Sequence, residues 1–247
     1  KYVTGLGSTP QHGLYNTITK KKELLYDEGP QAVPLFGHEN SDVVWNKSST
    51  GFYYTNPVQP FSGVQAIWNY DLEIKKTKIL KEAKPYAIYP LDIISSDTLI
   101  VFSNEFGALE FYLMDLKGEY IQKINNPYMQ GINEGGVTHR GIFDLAWSDS
   151  LRLVTAGYIN GAEFDGFKII VTDLNGTVFN EFTNGIYLNT KPMWTKGGNI
   201  IFTEQRNLYN SQIDSELKKI DLKTGEITPF FSKREYPKIA GIGASDQ

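Results

Sequence analysis

Two of the three histidines stand next to charged partners in Gly- and Asn-rich stretches. His38 and Glu39 lie in 37–40, and Glu134, His139 and Arg140 lie in 133–140. Imidazole nitrogen and carboxylate oxygen are ligand atoms for borderline divalent ions. No His-x-His or His-x-x-x-His spacing is present, so a metal site would need distant segments joined by folding, and none is expected. Glu39, Glu134 and Asp144 are also candidate members of the carboxylate pair used in glycoside cleavage, which sits about 5–9 Å apart across the bond. Nothing flanking them marks one as acid and another as base. No G-x-S-x-G elbow, phosphate loop or dinucleotide fingerprint occurs, and no cofactor is expected.

Further candidates are Asn104 and Glu105 in 104–107, Glu163 in 160–165, and Arg206 in 204–209. Each stretch separates two strand-like runs. Arg supplies a planar fork of donors, His an adjustable donor or acceptor, and Asn both kinds of group. With the neighbouring aromatics these residues suit a polar, ring-containing ligand such as a sugar, although solvated loops have the same composition.

The elements that must position these residues repeat along the chain. Segments 42–56, 91–104, 144–157 and 191–204 each hold an apolar run around Trp or Ile, a polar turn, and a second β-rich run. A third run follows and closes on Asp71-Leu72, Asp115-Leu116, Asp173-Leu174 or Asp221-Leu222, with Asn16 in the same place after Tyr15. Apolar residues alternate, as in 111–115 and 169–173, and no long stretch keeps a helical period. Four strands in each unit of roughly 50 residues predict propeller blades. The blades are expected near 42–80, 91–124, 142–183 and 191–230. The tail 240–247 carries only the first half of the unit and the head 1–6 only the second. A fifth blade is therefore expected from 239–247 with 1–27, closing the ring and removing its open edges. The fold expected is an all-β, five-bladed β-propeller of four-stranded antiparallel blades in one domain, 1–247.

The repeated Asp residues read as caps of their own turns through side-chain oxygen. Trp45, Trp147 and Trp194 read as core between blades. Lys20-Lys21-Lys22, Lys75-Lys76 and Lys218-Lys219 read as a solubilising surface on the hairpin face. The loops before each first strand and between second and third strands are where ligand contacts are expected.

Composition bounds the rest. The 247 residues are 40% hydrophobic, with a formal charge of −4 and no cysteine. Disulfides, thiolate ligands and a cysteine nucleophile are excluded, while the redox compartment stays open. An acidic balance disfavours nucleic acid, and no apolar run approaches the roughly 20 residues that span a bilayer. The chain starts at Lys1 without a signal-peptide pattern, which fits a mature or trimmed form. Two triplets, Asn46-Lys47-Ser48 and Asn175-Gly176-Thr177, match the glycosylation acceptor pattern and fall in predicted turns.

Trp147-Ser148-Asp149, Trp194-Thr195-Lys196-Gly197-Gly198 and Tyr112-Leu113-Met114-Asp115-Leu116-Lys117-Gly118, with a fainter copy at Trp45-Asn46-Lys47-Ser48, resemble the repeat of TolB-like propellers, also called the WD40-like PD40 repeat. The resemblance runs over the chain, and the Pro-Asp-Gly usual after Trp-Ser is eroded in every copy. It implies an exported protein, periplasmic or extracellular. Its family includes protein-binding scaffolds, peptidase accessory domains and sugar-degrading enzymes, and fold alone does not choose among them. Two readings follow. The first is a monomeric, non-catalytic binding module that takes a protein or glycan through the long-loop face, without nucleic acid or membrane insertion. The second is a carbohydrate-active enzyme, a glycoside hydrolase or polysaccharide lyase, with carboxylates and histidines at the top of the channel.

Overall fold

A computed structural model describes residues 13–15, 18–24, 43–58, 65–83, 88–107, 110–125, 140–148, 150, 152–159, 167–183, 188–206 and 214–231. All regular structure among them is β-strand. The chain divides into two compact units, Lys1–Lys123 and Ile124–Gln247.

In the first unit, β1 (Gly13–Tyr15) and β2 (Lys22–Leu24) form a two-stranded antiparallel sheet. The strands β3 (Val44–Trp45), β4 (Gly51–Pro57), β5 (Gln65–Asp71) and β6 (Lys76–Ala83) follow as one four-stranded sheet, ordered as in the sequence. A second such sheet holds β7 (Ile88–Ser95), β8 (Thr98–Ser103), β9 (Glu110–Asp115) and β10 (Tyr120–Ile124), which ends at the unit's boundary. The second unit has β11 (Arg140–Ser148), β12 (Arg152–Ile159), β13 (Phe167–Thr172) and β14 (Val178–Thr183) in one sheet. Its other sheet has β15 (Leu188–Trp194), β16 (Ile200–Arg206), β17 (Asp214–Ile220) and β18 (Ile227–Pro229).

Period-two alternation explains why these runs are strands. On β4, Tyr53 faces a core with Val44, Ile67, Ile88, Leu99, Val101 and Met114, while Phe52 and Tyr54 face a separate aromatic cluster with Tyr70. Both faces are buried, so the strand reads as an unbroken apolar run. The first of these cores joins the two four-stranded sheets of its unit, and the Thr55 hydroxyl reinforces it by donating to the Ile88 carbonyl at 2.7 Å. In the second unit Val154, Ile169, Val171 and Phe182 meet Ile200, Phe202 and Ile220, and Trp194 Nε1 donates to the Ala146 carbonyl at 3.1 Å. Each such fully buried aliphatic or phenyl side chain contributes about 1.5–3 kcal/mol. Trp194 thus packs between sheets as expected. Trp45 meets Phe52 of its own sheet, at 5.5 Å between ring centroids.

The turns after the third strands close as the repeat predicts. Asp71 Oδ1 accepts from Glu73 N and Ile74 N, and Asp115 Oδ1 from Lys117 N and Glu119 N. Asp173 Oδ1 accepts from Asn175 N and Thr177 N, and Asp221 Oδ1 from Lys223 N and Thr224 N. Those donors hold the Asp173 and Asp221 carboxyls below the ordinary carboxylate value, the Thr177 N–H acting most strongly on the first and the Lys223 N–H on the second.

Four four-stranded blades, not five, are present among the described residues, with bounds within three residues of the sequence reading. The β1–β2 sheet occupies part of the expected fifth. Residues 1–12 and 232–247, on which the expected closure falls, lie outside the described residues.

Candidate functional site

In each blade the loop between second and third strands lies at one end and the Asp-capped turn at the other, because the strands are antiparallel. Asn104 and Glu105 follow the end of β8, in the loop that returns to β9. Arg140 is the first residue of β11, paired with Ile159, and Arg206 is the last of β16, paired with Asp214. All four therefore sit at the loop end of their own blades. Asn104 and Glu105 belong to the first unit, Arg140 and Arg206 to the second. His38, Glu39, Glu134, His139 and Glu163 lie outside the described residues. Among the described residues no group of three His, Asp or Glu is placed to hold a metal.

Glu105 is the best-defined of these side chains. Its backbone N–H donates to Ser103 Oγ at 3.2 Å, which turns the chain tightly at the strand end. Tyr120 on β10 donates its hydroxyl proton to Glu105 Oε2 at 2.8 Å, and its oxygen accepts from the Ser103 hydroxyl at 3.0 Å. Lys81 on β6 places its ammonium 3.7 Å from Glu105 Oε2 and 4.8 Å from the Tyr120 ring centroid. Tyr112 on β9 donates to Glu110 Oε2 at 2.9 Å, and Glu110 Oε1 takes an ion pair from Lys123. Burial, followed by the carboxylate each one meets, raises both phenols far above their ordinary value, so both remain donors.

Above this base stands Phe106, 65% exposed at the loop tip. Its ring meets Tyr112 at 5.4 Å and Tyr120 at 5.3 Å between centroids, in tilted and edge-to-face geometry, and the two tyrosines pack at 5.0 Å. Such offsets are those aromatic pairs prefer. The result is an exposed ring on an immobilised aromatic base, beside a carboxylate with 29% of its side chain exposed. This arrangement can stack on an apolar ring or side chain and accept hydrogen bonds from it. The sequence points to the loop through Asn104, Glu105 and Phe106, but Lys81 and Tyr120 come from other strands and have no marking of their own.

In the second unit the structure corrects one reading. Lys218 is 9% exposed within β17, not on the hairpin face, and Lys219 alternates to a half-buried position. The Lys218 ammonium lies 3.0 Å from Glu216 Oε2 and 3.9 Å from Glu204 Oε1. Glu204, expected to open a loop, is 3% exposed within β16 and pairs in register with Asn189 and Glu216. The arrangement is an internal ion cluster near the loop end of that blade.

No family model and no curated protein sequence matches the chain. Solved structures do. A putative TolB from Agrobacterium tumefaciens aligns with TM-score 0.66 at 13% identity, over 94% of this chain and 76% of that one. TolB from Acinetobacter baumannii aligns with TM-score 0.61 at 15% identity, over 92% of this chain, which spans only 51% of that protein's length. An oligogalacturonate lyase in complex with manganese aligns with TM-score 0.57 at 12% identity, over 92% and 61%. At such identities the likeness is one of fold. With its four-stranded antiparallel blades and these structural likenesses, the chain has a β-propeller fold, the fold it shares with those structures.

Proposed function

We propose that the protein is a non-catalytic binding module that takes a protein or glycan ligand on its long-loop face. One observation carries this reading: Phe106 stands exposed on the Tyr112–Tyr120 base next to Glu105. An aromatic ring held without internal freedom loses little entropy on binding, and such residues dominate recognition energetics. The acidic balance of the chain disfavours nucleic acid as the ligand. In the same reading the protein is exported and monomeric. Its fifth blade forms when 240–244 pairs with 1–6, beside the β1–β2 sheet.

The test is a screen of glycan and peptide arrays with the purified protein, followed by Phe106→Ala on any ligand found. The expected result is an affinity loss of about tenfold or more, the scale of a central aromatic contact, with unchanged thermal melting. Unchanged affinity would remove Phe106 from the site. Turnover of a polysaccharide into shorter or unsaturated products would replace this reading with the carbohydrate-active one.

A further inference from the structure

The fourth strands of the four-stranded sheets are guarded unequally. Each is an edge of its sheet, so part of its backbone N–H and C=O groups face away from the ladder. Such edges are commonly blunted by lysine, by proline or by shortness. β6 carries Lys76, Lys78 and Lys81, β10 carries Lys123, and β18 is three residues long and ends at Pro229. β14 runs Val178-Phe179-Asn180-Glu181-Phe182-Thr183, with neither lysine nor proline. Its one charge, Glu181, is paired with Lys168 at 2.7 Å. Val178 and Phe179 are both exposed on it. A bulge sets Phe179 out of register, since Thr172 pairs with Val178 and Val171 with Asn180, and 180–183 then run regularly. The Arg152 guanidinium, from the start of β12, has its Cζ 3.3 Å from the centre of the Phe179 ring. A guanidinium that close to a ring centre meets it with its flat face, which leaves the in-plane N–H donors clear of the ring. Among the described residues no hydrogen bond or ion pair takes those donors, as Asp173 closes its own turn and Glu181 is held by Lys168.

We propose that β14 accepts an extended, acidic segment of another protein as an added strand, with a carboxylate of that segment taken by Arg152. Backbone pairing along the free edge supplies affinity, and the side chains flanking it supply selection. Charge complementarity fixes the kind of segment. A guanidinium held on an aromatic ring matches the two oxygens of a carboxylate, and a basic segment would meet it with like charge. Arginine and aromatic side chains are also the groups on which protein recognition draws most. The site goes beyond the loop-face reading. Arg152 and Val178 both lie at the Asp173-turn end of their blade, because Leu153 pairs with Thr172 and Thr172 with Val178, whereas the loop between β12 and β13 is at the other end.

The probe is a blocked, fluorescein-labelled octapeptide of alternating valine and glutamate, beside its glutamine and lysine counterparts, read by fluorescence anisotropy and amide hydrogen exchange. The glutamate peptide is expected to bind most tightly and to slow exchange in 178–183. Arg152→Gln is expected to weaken it about tenfold, the scale of a charge-assisted hydrogen bond, and to bring it level with the glutamine peptide. Methylating alternate backbone nitrogens of the peptide tests strand addition without altering the protein. One of the two alternate sets should abolish binding and the other leave it in place, since only one edge of an added strand faces β14. Equal binding of the three peptides, absence of binding, unchanged exchange in 178–183, or insensitivity to Arg152→Gln or to both methylated sets would overturn the proposal. Concentration-dependent self-association of the protein without peptide, lost in Arg152→Gln, would overturn it in favour of a second copy of this chain.

Discussion

At the scale of the residue, the repeated aspartates show how one carboxylate closes a turn. Asp115 Oδ1 accepts two backbone N–H groups across a five-residue turn. Asp115→Ala is expected to cost about 1 kcal/mol, the scale of a local hydrogen bond, in urea unfolding with an unchanged slope. A loss of ligand affinity without loss of stability would assign the residue to binding instead. Asp173 and Asp221 add a pH dependence. Their carboxyls sit below the ordinary value of 3.8 in the folded protein. The stability they lend is therefore present above that value and lost as pH falls through the lower, folded one. Thermal melts between neutral and acid pH should show this decline, and Asp173→Asn with Asp221→Asn should flatten it. Lys218 is the third case. Lys218→Met removes the buried ammonium that meets both Glu204 and Glu216, and a loss of about 3 kcal/mol is expected. Lys219→Met, one residue along the strand, should change stability by under about 0.5 kcal/mol.

At the scale of the element, the Asp-capped turn is also where neighbouring strands meet. A Cβ at Gly118, whose φ is 86°, would stand 2.5 Å from the Leu80 carbonyl oxygen of β6. Glycine there serves backbone conformation and close approach together. Gly198, at φ 79°, has nothing within 4 Å of its virtual Cβ and serves conformation alone. Gly198→Ala should therefore cost about 1 kcal/mol, and Gly118→Ala clearly more, about 2 kcal/mol or above, because β6 must also move. Equal losses in denaturant titrations would show that the Leu80 approach carries no energy. The close approach of β6 at Leu80 accompanies the contacts of Lys81 with Glu105 and Tyr120. A displaced β6 is thus expected to loosen the base under Phe106 as well as the fold.

At the scale of the whole molecule, each unit is held by a core shared between two sheets, and the proposed closure concerns residues at the two ends of the chain. Removing 240–247 is expected to lower the melting temperature, since it would expose the edge of an otherwise paired strand. An unchanged melt would rule the closure out. Blade bounds were legible in the sequence because alternation, turn chemistry and the Asp-Leu repeat are local properties, each readable within a few residues. The Asp caps were legible for the same reason, since donor and acceptor lie two to four residues apart.

The candidate site was legible only in part. Asn104, Glu105 and Phe106 announced a loop of the right kind, but their meaning depends on Lys81, Tyr112 and Tyr120, which register and sheet packing bring to them. Lys218 shows the opposite failure. Its composition reads as a solvated lysine, and only its position in β17 under Glu204 makes it an internal counter-ion. The sequence by itself determined the strand period, the turn caps and the four blades, because those follow from backbone geometry and near neighbours. Tertiary structure alone decided which charges are buried and which ring stands exposed, because those depend on residues tens of positions apart meeting across strands.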